Sequence, residues 1–442
     1  MAGTTTPARS GGWGTQVSLL DRVRQTRRLV RSEGLPGVSL RVRRRLADRL
    51  LPAGSQPLPL ADESFDGACR AETSGWTYPG PLKQPPGAPL TVAWVCAPPG
   101  PGSGGHTTMF RLVAALERAG HRCVIYLHDR HGWELERHTA TIRSHWPAVR
   151  AEVADLAGGI EDCDAVVATG WETAYAVLGS TARGVRTYLV QDFEPLFSAA
   201  GSEYLLAEAT YGFGFHGITA GRWLAERLSR DYGMTAEAFD LACDLDAYRL
   251  PAASTTVASA TGAFAAPEQA PRNAVAYYCR PHTPRRAHEL AMLGLERFAR
   301  LRPETPIHTY GSVLQSLPFP ATQHGVLSPV ELGALYRRCV AGLSLSATNV
   351  SLVPLEMLAA GCVPVVNDAV QNRLVLDNDH VRYVSPLPWD IAHALAGLVD
   401  QGRAEVAATA AAAARSVDGR TWDRVEDEVV TIFERLVAAA RT

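Results

Sequence analysis

The chain has 442 residues, of which 46% are hydrophobic and 20% charged, and its formal net charge is −2 at pH 7. This length is sufficient for two domains with separate cores, and the composition is that of a soluble globular protein. The weak charge argues against nucleic-acid binding, and neither a membrane-spanning run nor a secretory signal is visible. The eight cysteines lack metal-ligand spacing, which indicates reduced thiols and a cytoplasmic protein without a bound metal.

Residues 1–89 are predicted to form a basic helical extension followed by a connector. Residues 17–51 contain ten arginines and three acidic residues, with apolar residues at roughly helical spacing. Two amphipathic basic helices are therefore expected there. They would either attach the protein to an anionic membrane surface or pack as a solvated appendage on the main body. Residues 52–89 are rich in Pro, Gly and Ser, which is typical of a connector.

Residues 90–250 are predicted to form a first Rossmann-like domain, which would hold the acceptor if the protein transfers a group. Apolar runs alternate with helical periodicity, which is the pattern of βαβ units and a parallel sheet. The predicted buried strands are 90–96, 123–129, 164–169, 186–191 and 216–220.

A glycine-rich loop precedes the first predicted helix of this domain. Gly104 and Gly105 would allow a ligand to approach the backbone closely, and His106 follows them directly. The loop has neither the dinucleotide fingerprint nor the P-loop lysine, which disfavours a dehydrogenase. A tight turn without a ligand is the alternative interpretation.

Two carboxylates follow the predicted strand 186–191. Asp192 and Glu194 lie in the segment QDFEP, at the end of a strand where ligands of α/β proteins bind. They could hold acceptor hydroxyls or transfer a proton, so both are candidate catalytic residues together with His106. A helix cap or a surface turn is the alternative.

Residues 273–416 are predicted to form a second Rossmann-like domain, after a linker or surface loop at 251–272. Residues 417–442 are predicted to form a C-terminal helix that packs back on the first domain. The two domains should face a central cleft, with ligands at the carboxyl ends of the strands. The predicted strands of the second domain are 274–279, 306–310, 340–346 and 363–367.

Two arginines come after the first strand of the second domain. Arg280 follows the strand directly, and Arg285 lies five residues later. Cations at the carboxyl end of a strand suit a diphosphate, because negative charge grows on a leaving diphosphate as the glycosidic bond breaks. The alternative is a solvated basic loop.

The segment SLVPLEMLAAGCVPV (351–365) predicts a short helix that carries Glu356, with Gly361 at its end and a buried strand after it. The N–H groups of Ser351, Leu352 and Val353 could face an anion. A carboxylate for hydroxyls beside a helix end for phosphates suits a nucleotide-sugar. An ordinary helix–strand unit is the alternative.

Together, these motifs resemble the GT-B glycosyltransferases of family 4 over roughly residues 90–440. Three motifs match in order: Gly104–Gly105 with the helix end Leu116–His121, Arg280 with Arg285, and Pro354–Val366. The segments QDFEPLF, GSEYLLAE, FGFHGITAG and TNVSLVPLEMLAAG look closer still to the WsaF-like subgroup of bacterial surface-polysaccharide rhamnosyltransferases.

The resemblance implies a retaining, metal-independent transfer from deoxythymidine-diphosphate-rhamnose (dTDP-rhamnose), without a further cofactor, to a glycan or lipid-linked glycan. It implies a cytoplasmic enzyme, peripheral at the inner face of the membrane if residues 17–51 bind lipid. Glu356 would bind the donor ribose, and Arg280 and Arg285 would bind the diphosphate with the N–H groups near 351–353. The loop Gly104–Gly105 and His106 would line the gap between donor and acceptor.

One position departs from the family pattern. The wider family has a glutamate eight residues before the ribose-binding one, and this chain has Thr348 there. The identity of the sugar is therefore open, although a deoxysugar has fewer hydroxyls to satisfy. A nucleotide-sugar epimerase on the same fold and a non-catalytic glycan-binding or scaffold protein are the alternative functions.

Overall fold

The computed structural model describes residues 79–100, 102–129, 134–250 and 271–442. The predicted basic helices within 17–51, the connector up to residue 78 and positions 251–270 of the predicted linker lie outside these ranges. All described residues belong to one compact unit.

The first domain is built on a parallel sheet of seven strands in the order β3-β2-β1-β4-β5-β6-β7. The central strands are almost wholly buried because helices cover both faces of a parallel sheet. The strands are Thr91–Cys96 (β1), Arg122–Leu127 (β2), Glu152–Asp155 (β3), Ala165–Ala168 (β4), Val185–Val190 (β5), His216–Ala220 (β6) and Ala236–Phe239 (β7).

Helices connect these strands. The first begins where the Ser103 side chain accepts the His106 N–H, which is a normal N-cap. The helices described in this domain are Gly104–Arg118 (α1), Leu135–His145 (α2), Trp171–Gly179 (α3), Ser202–Ala209 (α4), Arg222–Tyr232 (α5) and Leu245–Tyr248 (α6).

The second domain has a parallel sheet of six strands in the order β10-β9-β8-β11-β12-β13. The strands are Ala274–Cys279 (β8), Ile307–Gly311 (β9), Thr322–Gln323 (β10), Cys339–Leu343 (β11), Val363–Asn367 (β12) and Arg382–Val384 (β13). The helices are His288–Leu301 (α7), Pro329–Arg338 (α8), Val353–Ala359 (α9), Val370–Leu376 (α10), Pro388–Val399 (α11) and Arg403–Arg415 (α12).

The last helix, Trp422–Arg441 (α13), returns to the first domain. It packs against α1, β5 and β7, and its Phe433 ring lies 5.7 Å from the ring of Trp94. The returning chain passes beside the segment between β7 and α6, where the N–H of Cys243 donates to the carbonyl of Arg420 at 3.1 Å. The two sheets meet with the carboxyl ends of β5 and β6 against the loops that follow β8 and β11.

The predicted α/β fold with two Rossmann-like domains and a central cleft is confirmed. The strands absent from the prediction are β3, β7, β10 and β13, which are the outer strands of the two sheets. They have two to four residues and are partly exposed, so they lack the continuous apolar run of a central strand. No helix in the described ranges is both long enough and apolar enough to cross a membrane.

Candidate functional site

Three arginines, Arg280, Arg285 and Arg286, follow β8 and form what we call the arginine cluster. The Arg280 guanidinium lies 5.3 Å from the ring centre of Tyr278, and that of Arg285 lies 4.2 Å from the ring centre of Phe197. Burial lowers the pKa of Arg286, and the neighbouring charges of Arg285 and Arg280 act in the same direction. The cluster therefore concentrates positive charge where water solvates it poorly.

Arg286 organises the loop between β11 and α9, which comprises residues 344–352. Its guanidinium donates to Ser346 Oγ at 2.8 Å and to the carbonyl of Asn349 at 3.3 Å. The N–H of Ala347 donates to the carbonyl of Arg285 at 2.8 Å. The β11–α9 loop is thus attached to the arginine cluster by side chain and by backbone.

Asp192 lies at the cleft, as predicted, but its partners belong to the second domain. It is 8% exposed. Its Oδ1 accepts the N–H of Asn349 at 2.7 Å, and its Oδ2 accepts the Thr348 hydroxyl at 2.8 Å and lies 3.3 Å from Arg285 Nε. Burial raises the pKa of Asp192, while the Asn349 N–H, the two nearby arginines and the Thr348 hydroxyl oppose that rise.

Asn349 extends this contact to the edge of the first sheet. Its side-chain Nδ2 donates to the carbonyl of Gln191, after β5, and to the carbonyl of Ala220, at the end of β6, both at 2.9 Å. One amide group thus bridges two neighbouring strand ends of the opposite domain. The β11–α9 loop is therefore docked on the first domain at this point of the cleft.

Glu356 lies in α9, as predicted, and is half-buried. Burial raises its pKa to about 7, and the nearby Asp244 adds to the rise, whereas a hydrogen bond from the Tyr248 hydroxyl opposes it. Tyr248 lies in α6, the last element of the first domain before the chain crosses over. The carboxylate therefore lies beside that crossing.

Stacked tyrosines connect the region of Glu356 with the arginine cluster. The rings of Tyr278 and Tyr310 stack at 5.2 Å, and the hydroxyls of Tyr310 and Tyr336 are 2.6 Å apart. The Glu356 charge helps to raise the pKa of both Tyr310 and Tyr336, after burial, so these groups are electrostatic neighbours. The structure thus brings the predicted ribose and diphosphate residues to one side of the cleft.

The residues before α9 begin the helix as predicted. Val353 is its first residue, Pro354 lies in the first turn, and the Leu352 carbonyl accepts the N–H of Leu355 at 3.0 Å. Gly361 follows the helix with φ of 71°, in the left-handed region. In the described part of the chain, the buried Ser351 Oγ has no hydrogen-bond partner.

Gly104 and Gly105 are exposed at the start of α1. The Gln191 side chain donates to the Gly105 carbonyl at 3.1 Å, so this turn lies beside the end of β5. His106 Nε2 is 3.1 Å from the Ala97 carbonyl and Nδ1 is 2.8 Å from Ser103 Oγ. Because a carbonyl only accepts, Nε2 carries the hydrogen and Nδ1 accepts the serine hydroxyl. Burial lowers the pKa of His106, so the ring is neutral, with both nitrogens engaged.

Glu194 is buried, and its described hydrogen bonds lie within the first domain. Its Oε2 accepts the N–H of Trp171, the first residue of α3, at 2.6 Å and the Tyr188 hydroxyl at 3.2 Å. This is the helix-cap alternative. Burial raises the pKa of Glu194 to about 8. Its catalytic role stays a prediction, and Asp192 is one of its charged neighbours.

The charges at the site do not balance. In the described ranges, Asp192 is the charged neighbour of both Arg285 and Arg286, and no carboxylate lies within ion-pair distance of Arg280. This excess of half-buried positive charge suits an anionic ligand with several oxygen acceptors. The Oδ1 atom of Asn349, a residue only 2% exposed, lacks a hydrogen-bond partner among the described residues and, as an acceptor, suits a donor such as a hydroxyl. Within the described residues, no three His, Cys, Asp or Glu side chains are grouped to hold a metal ion.

The comparisons with known proteins agree with this geometry. Residues 273–396 match the family model described as the WsaF C-terminal domain. The O-antigen biosynthesis protein RfbC of Myxococcus xanthus is 33% identical over 280 residues, which is 61% of this chain and 20% of that protein. The resemblance to WsaF-like GT-B proteins is confirmed. The chain spans about a fifth of the length of this curated relative.

Solved glycosyltransferases share the fold. WaaG, a glycosyltransferase involved in lipopolysaccharide biosynthesis, aligns with a TM-score of 0.57 at 12% identity, over 77% of this chain and 99% of its own. Anabaena Alr3699/HepE in complex with UDP-glucose aligns with a TM-score of 0.58 at 13% identity, over 78% of this chain and 100% of its own. At these identities the likeness establishes the GT-B fold alone.

Two residues of the site were not predicted as functional, Arg286 and Asn349. Arg286 lies directly beside the predicted Arg285, and this adjacency was the only hint in the sequence. Asn349 gave no such signal, since its partners Gln191 and Ala220 are 158 and 129 residues away. Sequence periodicity carries no information on contacts of that range.

Proposed function

We propose that the protein is a retaining glycosyltransferase that transfers rhamnose from dTDP-rhamnose to a glycan, or to a lipid-linked glycan, of a surface polysaccharide. The observation that carries the proposal is the arginine cluster, three guanidinium groups with one carboxylate at the carboxyl edge of the second sheet. A diphosphate would supply the missing negative charge and the oxygen acceptors.

The cluster would also serve the reaction. Negative charge accumulates on the diphosphate as its bond to the sugar breaks, so fixed cations stabilise the transition state more than the ground state. Arg280 is suited to this task because no carboxylate lies within ion-pair distance of it among the residues described, and Arg286 shares its neighbour Asp192 with Arg285. The reaction as proposed needs no metal and no further cofactor.

Glu356 would receive the ribose hydroxyls, which would replace the hydrogen bond from Tyr248. The sugar would lie toward the β11–α9 loop, where Thr348 stands in place of the glutamate of the wider family. A side chain with one hydroxyl fits a deoxysugar. The acceptor would enter from the first domain near Gly104–Gly105 and His106.

The relatives support the class of substrate. The HepE structure is described as a complex with UDP-glucose, and the Myxococcus relative is named for O-antigen biosynthesis. The place of action we propose is the cytoplasm, at the inner face of the membrane if the basic residues 17–51 bind anionic lipid.

Donor binding tests the proposal. The wild-type protein, titrated with dTDP-rhamnose and with UDP-glucose, should melt at a higher temperature with the true donor, because a ligand at 100 times its Kd adds about 2.7 kcal/mol of stability. Arg280→Met should weaken donor binding by roughly tenfold or more, the loss expected for a charged hydrogen bond. Arg300→Met is the matched control, since Arg300 is exposed on α7 and pairs only with Glu296.

Product analysis separates the alternatives. Mass spectrometry should find rhamnose on an added acceptor, and free dTDP. Conversion of the nucleotide-sugar without any acceptor would instead indicate an epimerase. Donor binding without transfer across an acceptor panel would indicate a non-catalytic glycan-binding or scaffold protein. If neither donor changes the melting temperature, the proposed function is wrong.

A further inference from the structure

The carboxylate of Asp192 is the only negative charge at the arginine cluster in the described residues, and it comes from the opposite domain. The second domain offers Thr348 at the position where the wider family has its own glutamate. The Thr348 hydroxyl donates to Asp192 Oδ2 at 2.8 Å, so the first domain places a carboxylate beside the position that lacks one.

We infer that Asp192 is a positioning residue, which holds the β11–α9 loop and Arg285 in place for the donor diphosphate and does not transfer a proton. The identity of the ligand rests on the proposed function, whereas the attachment of the loop to the first domain is independent of it.

The hydrogen bonds of Asp192 leave it little capacity for acid–base chemistry. Oδ1 accepts the N–H groups of Asn349 at 2.7 Å and of Phe193 at 2.9 Å. Oδ2 accepts the Thr348 hydroxyl and faces Arg285 at 3.3 Å. Oδ1 thus has two hydrogen-bond donors, Oδ2 has one donor and one ion-pair contact, and the residue is buried, so an acceptor hydroxyl has little access to either oxygen.

The β11–α9 loop, which Asp192 holds, also supplies the acceptors that orient Arg286 of the arginine cluster. Arg286 donates to Ser346 and to the Asn349 carbonyl, and Asn349 donates to two strand ends of the first domain. Loss of the Asp192 carboxylate would therefore free the backbone N–H of Asn349 and loosen the carbonyl of the same residue, which is one of the acceptors that orient Arg286. The same carboxylate lies in ion-pair contact with Arg285, 3.3 Å from its Nε atom.

Two substitutions at one position separate positioning from proton transfer. Asp192→Asn removes the charge but keeps an acceptor for the Asn349 N–H, and its amide can donate to the Thr348 hydroxyl oxygen. Asp192→Ala removes every one of these bonds. We expect Asp192→Asn to keep kcat within about fivefold of the wild type and to keep its pH profile, while Asp192→Ala raises the donor KM by roughly tenfold or more.

Proton transfer predicts a different result. If Asp192 were a general acid or base, kcat would fall by about 10²- to 10⁴-fold in both variants. Both variants would also lose the limb of the pH profile that reports the titration of Asp192. That outcome would overturn the inference. Thr348→Val removes one hydroxyl at nearly constant volume. It should also raise the donor KM, but by less than Asp192→Ala does.

Hydrogen exchange of the full-length protein without any donor tests the loop independently of activity. Backbone N–H groups in 346–351 should exchange faster in Asp192→Ala than in the wild type, with little change in Asp192→Asn. Unchanged exchange in Asp192→Ala would overturn the inference even if the donor assignment is right. If Asp192→Ala exchanges faster but the wild type binds no nucleotide-sugar, the attachment of the loop is supported and only the proposed function is refuted.

Discussion

Two glutamates of this protein, Glu194 and Glu356, have raised pKa values for the same main reason, which is burial. They differ in their partners. Glu194 is held by a helix N–H and a tyrosine hydroxyl inside the first domain, whereas Glu356 lies at the side of the proposed donor site. At the residue scale, titration of Glu194 should therefore affect the stability of the protein, and titration of Glu356 should affect binding of the donor.

Glu194→Gln should change how stability depends on pH. The pKa of Glu194 rises from 4.5 to about 8 on folding, so between these values the folded protein holds a proton that the unfolded chain has lost. The free energy of unfolding of the wild type must then fall as pH rises through this window. Glutamine keeps an oxygen acceptor for Trp171 and Tyr188 and does not titrate. Urea unfolding should show that the free energy of unfolding of the variant increases relative to that of the wild type from pH 5 to pH 8.5. A difference between the two proteins that does not change with pH would contradict the prediction.

Glu356 should make donor binding depend on pH. Its pKa of about 7 means that the carboxylate is mostly protonated at pH 6 and mostly ionised at pH 8. Ribose hydroxyls donate more strongly to the ionised form, so affinity for dTDP-rhamnose should rise with pH by up to about tenfold over this range. Calorimetric titrations at both values measure the effect. Glu356→Gln should bind dTDP-rhamnose weakly, with an affinity that depends little on pH. If its affinity changes with pH as much as that of the wild type, another group causes the dependence.

At the scale of elements, helix α8 packs unusually close to α6, the element that carries Tyr248. A Cβ atom on Gly333 of α8 would lie 2.4 Å from the backbone carbonyl oxygen of Ala247 in α6. A backbone atom cannot move aside as a flexible side chain can, so the absence of a side chain at Gly333 sets the distance between the two helices.

Gly333→Ala should therefore destabilise the protein although alanine favours helices by about 1 kcal/mol over glycine. Overpacking at this contact should lower the free energy of unfolding by about 1–3 kcal/mol. Gly397→Ala in α11 is the matched control, because nothing lies within 4 Å of the added Cβ and the residue is exposed. Chemical denaturation should show the control unchanged or more stable, and equal behaviour of both variants would refute the packing explanation.

The elements also explain how far sequence patterns reach. Buried central strands and the motif residues Arg280, Arg285 and Glu356 were predictable, because apolar runs and local spacing encode them. The outer strands were not, since they are short and half-exposed. The bond between Asp192 and Thr348 joins residues 156 positions apart, and the direction of Glu194 depends on a helix end 23 residues before it. Such contacts depend on the three-dimensional arrangement and leave no periodic trace.

At the scale of the whole molecule, α13 ties the end of the described chain to the first domain. Arg118 pairs with Glu426, which is largely buried, and Arg435 pairs with Glu237 at the surface of the contact. Arg441 reaches the fully buried Asp164 at 2.8 Å, which lies between β1 and β4 and also accepts the Thr91 N–H.

Arg441→Met should lower the free energy of unfolding by about 3 kcal/mol, because it leaves a buried carboxylate without its cation. Arg435→Met is the comparison, since that side chain is 56% exposed and a surface pair contributes about 1 kcal/mol or less. Thermal or urea unfolding measures both. Equal losses in the two variants would show that Asp164 is stabilised by its backbone donor rather than by the arginine.

The return of the chain through residue 420 has a consequence for the order in which the protein is made. The Cys243 N–H donates to the carbonyl of Arg420, and Arg420 pairs with Asp240 at 3.1 Å. These contacts belong to the first domain, yet their two sides are separated in the chain by the whole second domain. The first domain therefore gains its last helix, α13, only after the second domain has been synthesised.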